Sequence, residues 1–345
     1  MEQEKKNWHD KNYKKLLLIP AVIVVLSIIF MFSFYSQTGD FIHRDVSLTG
    51  GTTATIYDQI DVDDLKQSIS GELEDINTRK IYDLTTNEYN ALIIETKSDT
   101  NTTKQVLENY VGYELTQENS SFQYTGSSLG QSFFQQLLLA VLYAFLFMGV
   151  VVFFIFGKGR RTKTFLAALA LLSPILFFGF NALSIQGAFI LVIASLILSM
   201  VIYAKKNIPS FAVIISAVLD IFMTLVLVNL LGIQTSSAGI VAFLMLIGYS
   251  VDTDIMLTNR LLKRHYGTIN DRMKGAFRTG MTMTITSLIA MTVALLIVQP
   301  FSVTLTQIFT ILVIGLGFDI LNTWITNASI LKWHIYSENK GGKND

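Results

Sequence analysis

The stretch IGYSVDTDIMLTNR, residues 247–260, sets two carboxylates, Asp252 and Asp254, inside an apolar run. The run starts near Ser237 and reads SAGIVAFLMLIGYSV before the first acid. Its length and composition are those of a membrane-spanning helix. A charged side chain at the centre of such a helix costs about 2.5–3.5 kcal/mol on insertion scales. Two acids there need a reason. They stand two residues apart, roughly 200° around a helix, so they face different ways. Gly248 and Asn259 share the face of Asp252, and Gly248 is expected to let a neighbouring helix approach closely. Ser250 and Thr258 lie one turn either side of Asp254.

The whole chain fits the reading of that stretch. It has 345 residues, 51% of them hydrophobic and 15% charged, with a mean hydropathy of +0.48. Soluble domains carry nearer 25% charge. With no cysteine, disulfides and thiolate metal sites are excluded. The four histidines, His9, His43, His265 and His334, are scattered without ligand spacing, so no metal or other cofactor is expected. Eight apolar runs are long enough to span: about 15–36, 131–156, 163–182, 184–204, 208–231, 236–259, 275–298 and 303–331. Two gaps are tight, at Leu183 and around Gln299-Pro300. The pair 163–204 also reads as a re-entrant hairpin, which would leave six spans. The first run is long and lacks a small-residue cleavage site, so it reads as a retained anchor.

Sidedness follows from Lys and Arg. Residues 37–130 hold 6 basic and 16 acidic residues, and the other 20 basic residues sit at the ends and in loops that eight spans place on one side. The termini are therefore expected inside and residues 37–130 outside. Six spans give the same sidedness. The expected organisation is a cytoplasmic tail over 1–14, a first span over 15–36 and an external domain over 37–130. A second span over 131–156, an apolar hairpin over 157–206, a four-span bundle over 207–333 and a cytoplasmic tail over 334–345 follow.

Within the external segment, TTATIYD (52–58), INTRKIYDL (76–84), NALIIET (90–96) and SFQYTG (121–126) read as strands. VDDLKQSIS (62–70) and TTKQVLENYVG (102–112) read as helices. The order βαββαβ is that of a ferredoxin-like α+β domain. A charge balance of 6 basic against 16 acidic residues argues against nucleic acid as a partner.

Ten acids lie outside this domain, and four of them, Asp220, Asp252, Asp254 and Asp319, fall in spans. Intramembrane acids mark ion pathways or proton relays, or else hydrogen-bond neighbouring helices and fix their packing. Asp220 is near mid-depth, with Ser216 and Thr224 one turn either side. Asp319 starts a polar stripe with Asn322, Thr323 and Thr326. In GAFRTGMTMTITS (275–287), Arg278 sits about two turns into its helix, at a depth similar to Asp252, and the two are expected to pair. A proton arriving on Asp252 would weaken that pair and let the spans repack.

At these residues the chain resembles the SecF family, in its archaeal form. IGYSVDTDIMLTNRLLKR resembles the fourth-span signature, PSFAVIISAVLDIFMTLVLVNLLGI (209–233) the span before it, GAFRTGMTMTITS the span after it, and GLGFDILNTWITNASILKW (315–333) the last. SLTGGT (47–52) resembles the double glycine that opens the family's external domain, so Gly50 and Gly51 are expected at a hinge. The resemblance implies a non-enzymatic subunit of protein export, with the fold of the resistance-nodulation-division transporters. It implies a SecD-like protein as heterodimer partner, the Sec channel of SecY and its small subunits beside it, unfolded secreted chains as cargo, and the lipid bilayer as surroundings. It also implies a pull driven by the proton gradient.

Three departures from the family pattern stand out. Asp252-Thr253 replaces Asn-Asp, so the acid has moved one position and Asp254 is added. Residues 163–204 look like an insert into a six-span pattern. Ser47 replaces an acid. A second class of function, an independent proton-coupled exporter of small molecules or lipids, typically needs two external domains and about twelve spans in one chain. An intramembrane aspartyl protease is disfavoured, because Asp252 and Asp254 point apart and Gly-x-Gly-Asp is absent.

Overall fold

The computed structural model describes residues 8–83, 86, 88–179, 184–263 and 267–341. Helix α1 (Trp8–Leu16) leads into α2 (Leu18–Thr38). Gly39, at φ +75°, ends α2, and its N–H bonds to Tyr35 O. A strap through α3 (Val46–Thr49) then enters the α+β domain. There β1 (Gly51–Ile56), α4 (Val62–Ile69), β2 (Asn77–Tyr82), β3 (Tyr89–Thr96), α5 (Thr100–Val111) and β4 (Ser120–Thr125) follow the expected order. Asp61 and Asp99 start the two helices by accepting N–H bonds in the first turn. The sheet order is β2-β3-β1-β4 with antiparallel neighbours. Strands β1 and β2 are thus parallel with β3 between them, the split βαβ arrangement. Ala54, Ile56, Leu92 and Ile94 from the sheet meet Leu65, Ile69, Val106 and Leu107 from the helices in one buried core. Full burial of side chains this size stabilises by about 1.5–3 kcal/mol each.

The remaining elements are α6 (Ser127–Phe156), α7 (Arg160–Pro174) with a π-helical end at Ile175–Gly179, α8 (Ile185–Lys206), α9 (Ile208–Leu230), α10 (Ser237–Lys263), α11 (Ile269–Val298), α12 (Val303–Leu321), a π-helical segment Asn322–Asn327, and α13 (Ala328–Gly341). Among the described residues, eight helical runs are long and apolar enough to cross a membrane, α7 and α8 included. The tight turn expected at Leu183 lies outside the described residues. Leu166 and Ala170 of α7 and Val192 of α8 pack on Leu139, Tyr143 and Leu146 of α6. Tyr143 and Ser173 share a 2.8 Å hydrogen bond. The outer side of the pair, including Phe178, Ile190 and Ile197, is exposed.

Apolar burial does not drive helices together inside lipid, so close packing must. A Cβ on Gly315 of α12 would lie 2.2 Å from Leu246 Cδ2 of α10, and one on Gly280 of α11 would lie 2.5 Å from Trp324. Gly248 plays no such part. It is exposed, and a Cβ there would meet nothing within 4 Å. The face it shares with Asp252 is turned out of the bundle, so the close approach expected at Gly248 occurs at Gly280 and Gly315 instead.

The strap is tied to the loop between α9 and α10. His43 N–H donates to Asn229 Oδ1 (3.1 Å), and Asn229 Nδ2 donates to Phe41 O (2.9 Å). Thr235 N–H donates to His43 O (2.5 Å), and Asp45 N–H to Thr235 O (3.2 Å). Ser237 N–H, at the start of α10, donates to Ser47 Oγ (3.2 Å), whose hydroxyl donates to Asp45 Oδ1 (2.6 Å). Gln307 of α12 accepts from Ser236 and donates to Gln234 O. The domain touches that loop and the one between α11 and α12: Asn77 Nδ2 donates to Gln234 Oε1 (2.7 Å), and Tyr82 N–H to Pro300 O (2.8 Å). Gly50 has φ +88°, and a Cβ there would lie 2.4 Å from Ser127 Cα. Gly51 has φ +141°, and its Cβ would lie 2.3 Å from Thr96 O. The double glycine therefore sits in a close crossing of strap, β3 and α6.

Candidate functional site

Three of the four intramembrane acids meet. Asp220 of α9, Asp254 of α10 and Asp319 of α12 are 0%, 0% and 1% exposed. Asp220 Oδ2 accepts from Ser250 Oγ (2.5 Å) and its Oδ1 from Asn322 Nδ2 (2.7 Å). Asp254 Oδ1 accepts from Asn327 Nδ2 (2.8 Å) and faces Thr323 Oγ1 (2.9 Å). The same Thr323 oxygen lies 3.2 Å from Asp319 Oδ1. Asn322 Oδ1 accepts from Thr326 (3.1 Å). Among the described residues, no hydrogen bond within normal geometry reaches Asp254 Oδ2 or Asp319 Oδ2.

One hydroxyl carries one proton. Thr323 can thus donate to Asp254 or to Asp319, but not to both. Satisfying both contacts needs a proton on a carboxyl, donated back to the Thr323 oxygen. Proton position and hydrogen-bond pattern are therefore linked here. The ion pairs among the described residues all lie in the strap and the α+β domain, so no cation answers the cluster. Nor does any group of three or more His, Asp or Glu among the described residues have the arrangement of a metal site.

The π-helical segment makes the cluster possible. Along an α-helix, positions 322 and 327 lie about 140° apart. The wider i→i+5 turn lets Asn322, Thr323 and Asn327 all face the acids. Ser250, one turn before Asp254, donates to a carboxylate, but it serves Asp220 rather than Asp254. Thr224 and Thr258 donate to backbone carbonyls of Asp220 and Asp254 instead.

Asp252 and Arg278 are outside this cluster. Both are exposed, and no ion pair joins them among the described residues. The expected Asp252–Arg278 pair is absent because both side chains leave the bundle through its bare α10–α11 flank, where Tyr249, Phe277 and Met283 are also exposed. Arg260 Nη1 donates to Gly275 O (2.8 Å) and ties α10 to α11.

Residues 180–337, which hold the whole cluster, match the C-terminal family model of the protein export membrane protein SecD/SecF. A bundle of this design with one ferredoxin-like domain belongs to the SecD/SecF class of membrane proteins. The chain is 32% identical over 334 residues to the protein-export membrane protein SecF of Methanocaldococcus jannaschii, covering 94% of this chain and 96% of that one. It is 30% identical over 330 residues to the SecF of Haloquadratum walsbyi, covering 94% and 92%. At that identity and coverage, the chain belongs to the SecF family. Its fold also resembles SecDF, a translocon-associated membrane protein from Thermus thermophilus, with TM-score 0.59 and 13% identity over 96% of this chain. A second SecDF structure, in a super-membrane-facing form, gives a TM-score of 0.51 at 13% identity over 100% of the chain. The chain spans about two fifths of those solved chains, 39% and 41%.

Proposed function

We propose that this protein works as the SecF subunit of a protein-export machine and that proton exchange at the Asp220–Asp254–Asp319 cluster drives its movement. The family assignment supports the role in export. The cluster supports the driving step: Asn322 binds Asp220 of α9, while Thr323 faces both Asp254 of α10 and Asp319 of α12, so its hydroxyl reports where a proton sits. Moving one proton would switch the Thr323 bond between α10 and α12 and shift the two helices. The strap bonds would carry that shift to the α+β domain, which in this reading lies outside with both termini inside.

A partner is part of the reading. Two exposed charges on spanning helices are costly against lipid. A SecD-like heterodimer partner laid on the α10–α11 flank would give Asp252 and Arg278 polar surroundings, and the bound pair would act beside the Sec channel of SecY on unfolded secreted chains.

The test is secretion of a signal-bearing reporter in cells carrying Asp254→Asn or Asp252→Asn, at matched protein abundance, with and without an uncoupler. Loss of the uncoupler-sensitive part of secretion in Asp254→Asn, with the complex intact, is the expected result. Unchanged secretion in both variants would sink the proton step. Copurification of a self-complex with bound lipid or drug, and no SecD-like partner, would favour the independent exporter.

A further inference from the structure

Three asparagines open an Asn-x-Ser/Thr triplet: Asn101-Thr-Thr, Asn119-Ser-Ser and Asn327-Ala-Ser. That triplet is the acceptor for N-linked sugar, a bulky polar addition suited to the surface of a translocated segment. The triplet is short and recurs by chance, so the surroundings of each asparagine have to decide. Asn327 fails at once. It is fully buried in the bundle, and its Nδ2 donates to Asp254 Oδ1 (2.8 Å).

Asn119 lies in the α+β domain, but its side chain is in use. Its Oδ1 accepts from Thr116 N–H (2.7 Å), and its Nδ2 donates to Glu114 O (3.0 Å). The amide thus braces the turn that leads into β4. The backbone is fixed there as well, because Tyr57 N–H donates to Asn119 O (2.9 Å). Turning Nδ2 outward to carry a sugar would undo that brace.

Asn101 has neither restraint. It is the second residue of α5, and both it and Thr102 are exposed. Its backbone N–H donates to Asp99 Oδ2 (3.1 Å) as part of the helix cap. Among the described residues, no hydrogen bond reaches its side-chain amide, so a sugar there removes no contact that holds the fold. The buried side of α5 carries Thr103, Val106 and Leu107 and packs into the core of the domain. Positions 101 and 103 lie about 200° apart around a helix, which turns Asn101 away from that core.

We propose that Asn101 carries an N-linked glycan and that Asn119 and Asn327 do not. This rests on the external placement of residues 37–130 adopted under the proposed function. Attachment forms a bond from Asn101 Nδ2 to C1 of the sugar and releases an amide proton. The bond from C1 to the phosphate of a polyprenyl-linked sugar donor breaks, and its electron pair leaves with the phosphate. The Thr103 hydroxyl, which completes the triplet, is buried and donates to Asp99 O (2.8 Å) in the folded domain. Attachment therefore precedes closure of the first turn of α5, and the folded helix then displays the sugar on its open side.

The experiment uses the full chain isolated from the membranes of its native cells. Mass spectrometry of the tryptic peptide Ser98–Lys104, which holds Asn101, is expected to show added sugar mass on that asparagine. The intact mass should lose the sugar in Asn101→Gln and keep it in Asn119→Gln. Thr103→Ser preserves the triplet and should keep the sugar, whereas Thr103→Val removes the required hydroxyl and should lose it. Sidedness is read separately. The chain has no cysteine, so Gln117→Cys at an exposed position gives a single thiol for a membrane-impermeant maleimide in intact cells. A labelled thiol with an unmodified Asn101 overturns the glycan and leaves the external placement standing. An unlabelled thiol with an unmodified Asn101 overturns both. Sugar on Asn119 in the wild type overturns the choice between the two sites.

Discussion

Asp252 and Asp254 are separated by one residue and by the whole wall of the bundle: the first is exposed, and the second is fully buried against Thr323 and Asn327. This relationship divides the acids into an inner set, which hydrogen-bonds within the chain, and an outer one, which does not.

The division predicts different folding effects in the isolated chain. Asp252→Ala removes no intrachain hydrogen bond and should leave Tm in detergent unchanged. Asn322→Ala removes the amide donor of Asp220 and the acceptor of Thr326. Leaving buried polar groups unpaired costs about 1–3 kcal/mol, so Asn322→Ala should melt clearly lower. Equal melting of the two variants would contradict the buried cluster.

Two glycines give a second contrast. Gly315→Ala forces a methyl into Leu246, and overpacking of this kind costs about 1–3 kcal/mol. Gly248→Ala meets open space and removes a residue with low helix propensity, so it should be neutral or stabilising by up to about 1 kcal/mol. Thermal unfolding of the two variants side by side checks the pair.

The junction between domain and bundle should respond to pH. Burial raises the Asp45 carboxyl above its usual 3.8, although hydrogen bonds from Ser47 and the charge of Arg79 oppose it. Burial also raises Glu95 above its usual 4.5, with Arg79 opposing and Asp45 adding. Both acids bind protons more tightly in the folded chain than in the unfolded one. Their contribution to stability is therefore complete below about pH 4 and is lost as pH rises through the raised values. Relative to Asp45→Asn/Glu95→Gln, the wild type should gain Tm as pH falls from neutral towards 4. A difference between the two that does not vary with pH would refute this.

Two polar contacts among apolar ones hold α7 to α6: Tyr143 with Ser173, and Lys163 Nζ donating to Phe154 O (2.8 Å). Ser173→Ala strands the Tyr143 hydroxyl. Hydrogen bonds between spanning helices average about 0.6 kcal/mol, so only a small loss of stability is expected. Faster hydrogen exchange in α7, without change in α9 or α10, is the measurement that isolates it.

The sequence made some of this legible and hid the rest for definite reasons. Strand alternation and helical spacing are local signals, and they sufficed for the α+β domain. The apolar runs sufficed for the spans because lipid imposes length. Helical spacing showed that Asp252 and Asp254 face apart, but which of them faces inward depends on neighbours far along the chain. The same gap misplaced Gly248: a small residue in a span permits close approach without saying whether a helix is there. Arg278 and Asp252 matched in depth, yet depth says nothing of direction around the axis. Asn327 escaped notice as a site residue because α-helical periodicity sets it away from Asn322, and the π-helical turn that unites them has no sequence signature of its own. The Asn322–Thr323–Thr326 stripe was the part of that segment visible in advance.

The strap bonds at Asn229, Thr235 and Ser237 have a mechanical consequence. They fasten the domain's leading edge to the end of α9 and the start of α10, while Gln307 of α12 holds the residues just before α10. Axial sliding of α10 would have to break several of these bonds at once, whereas a tilt about that clamped end would keep them. A tilt of the helix that carries Asp254 would pivot about that clamped end like an oar in its lock, and a small sideways displacement at the depth of the acids would then turn whatever sits above.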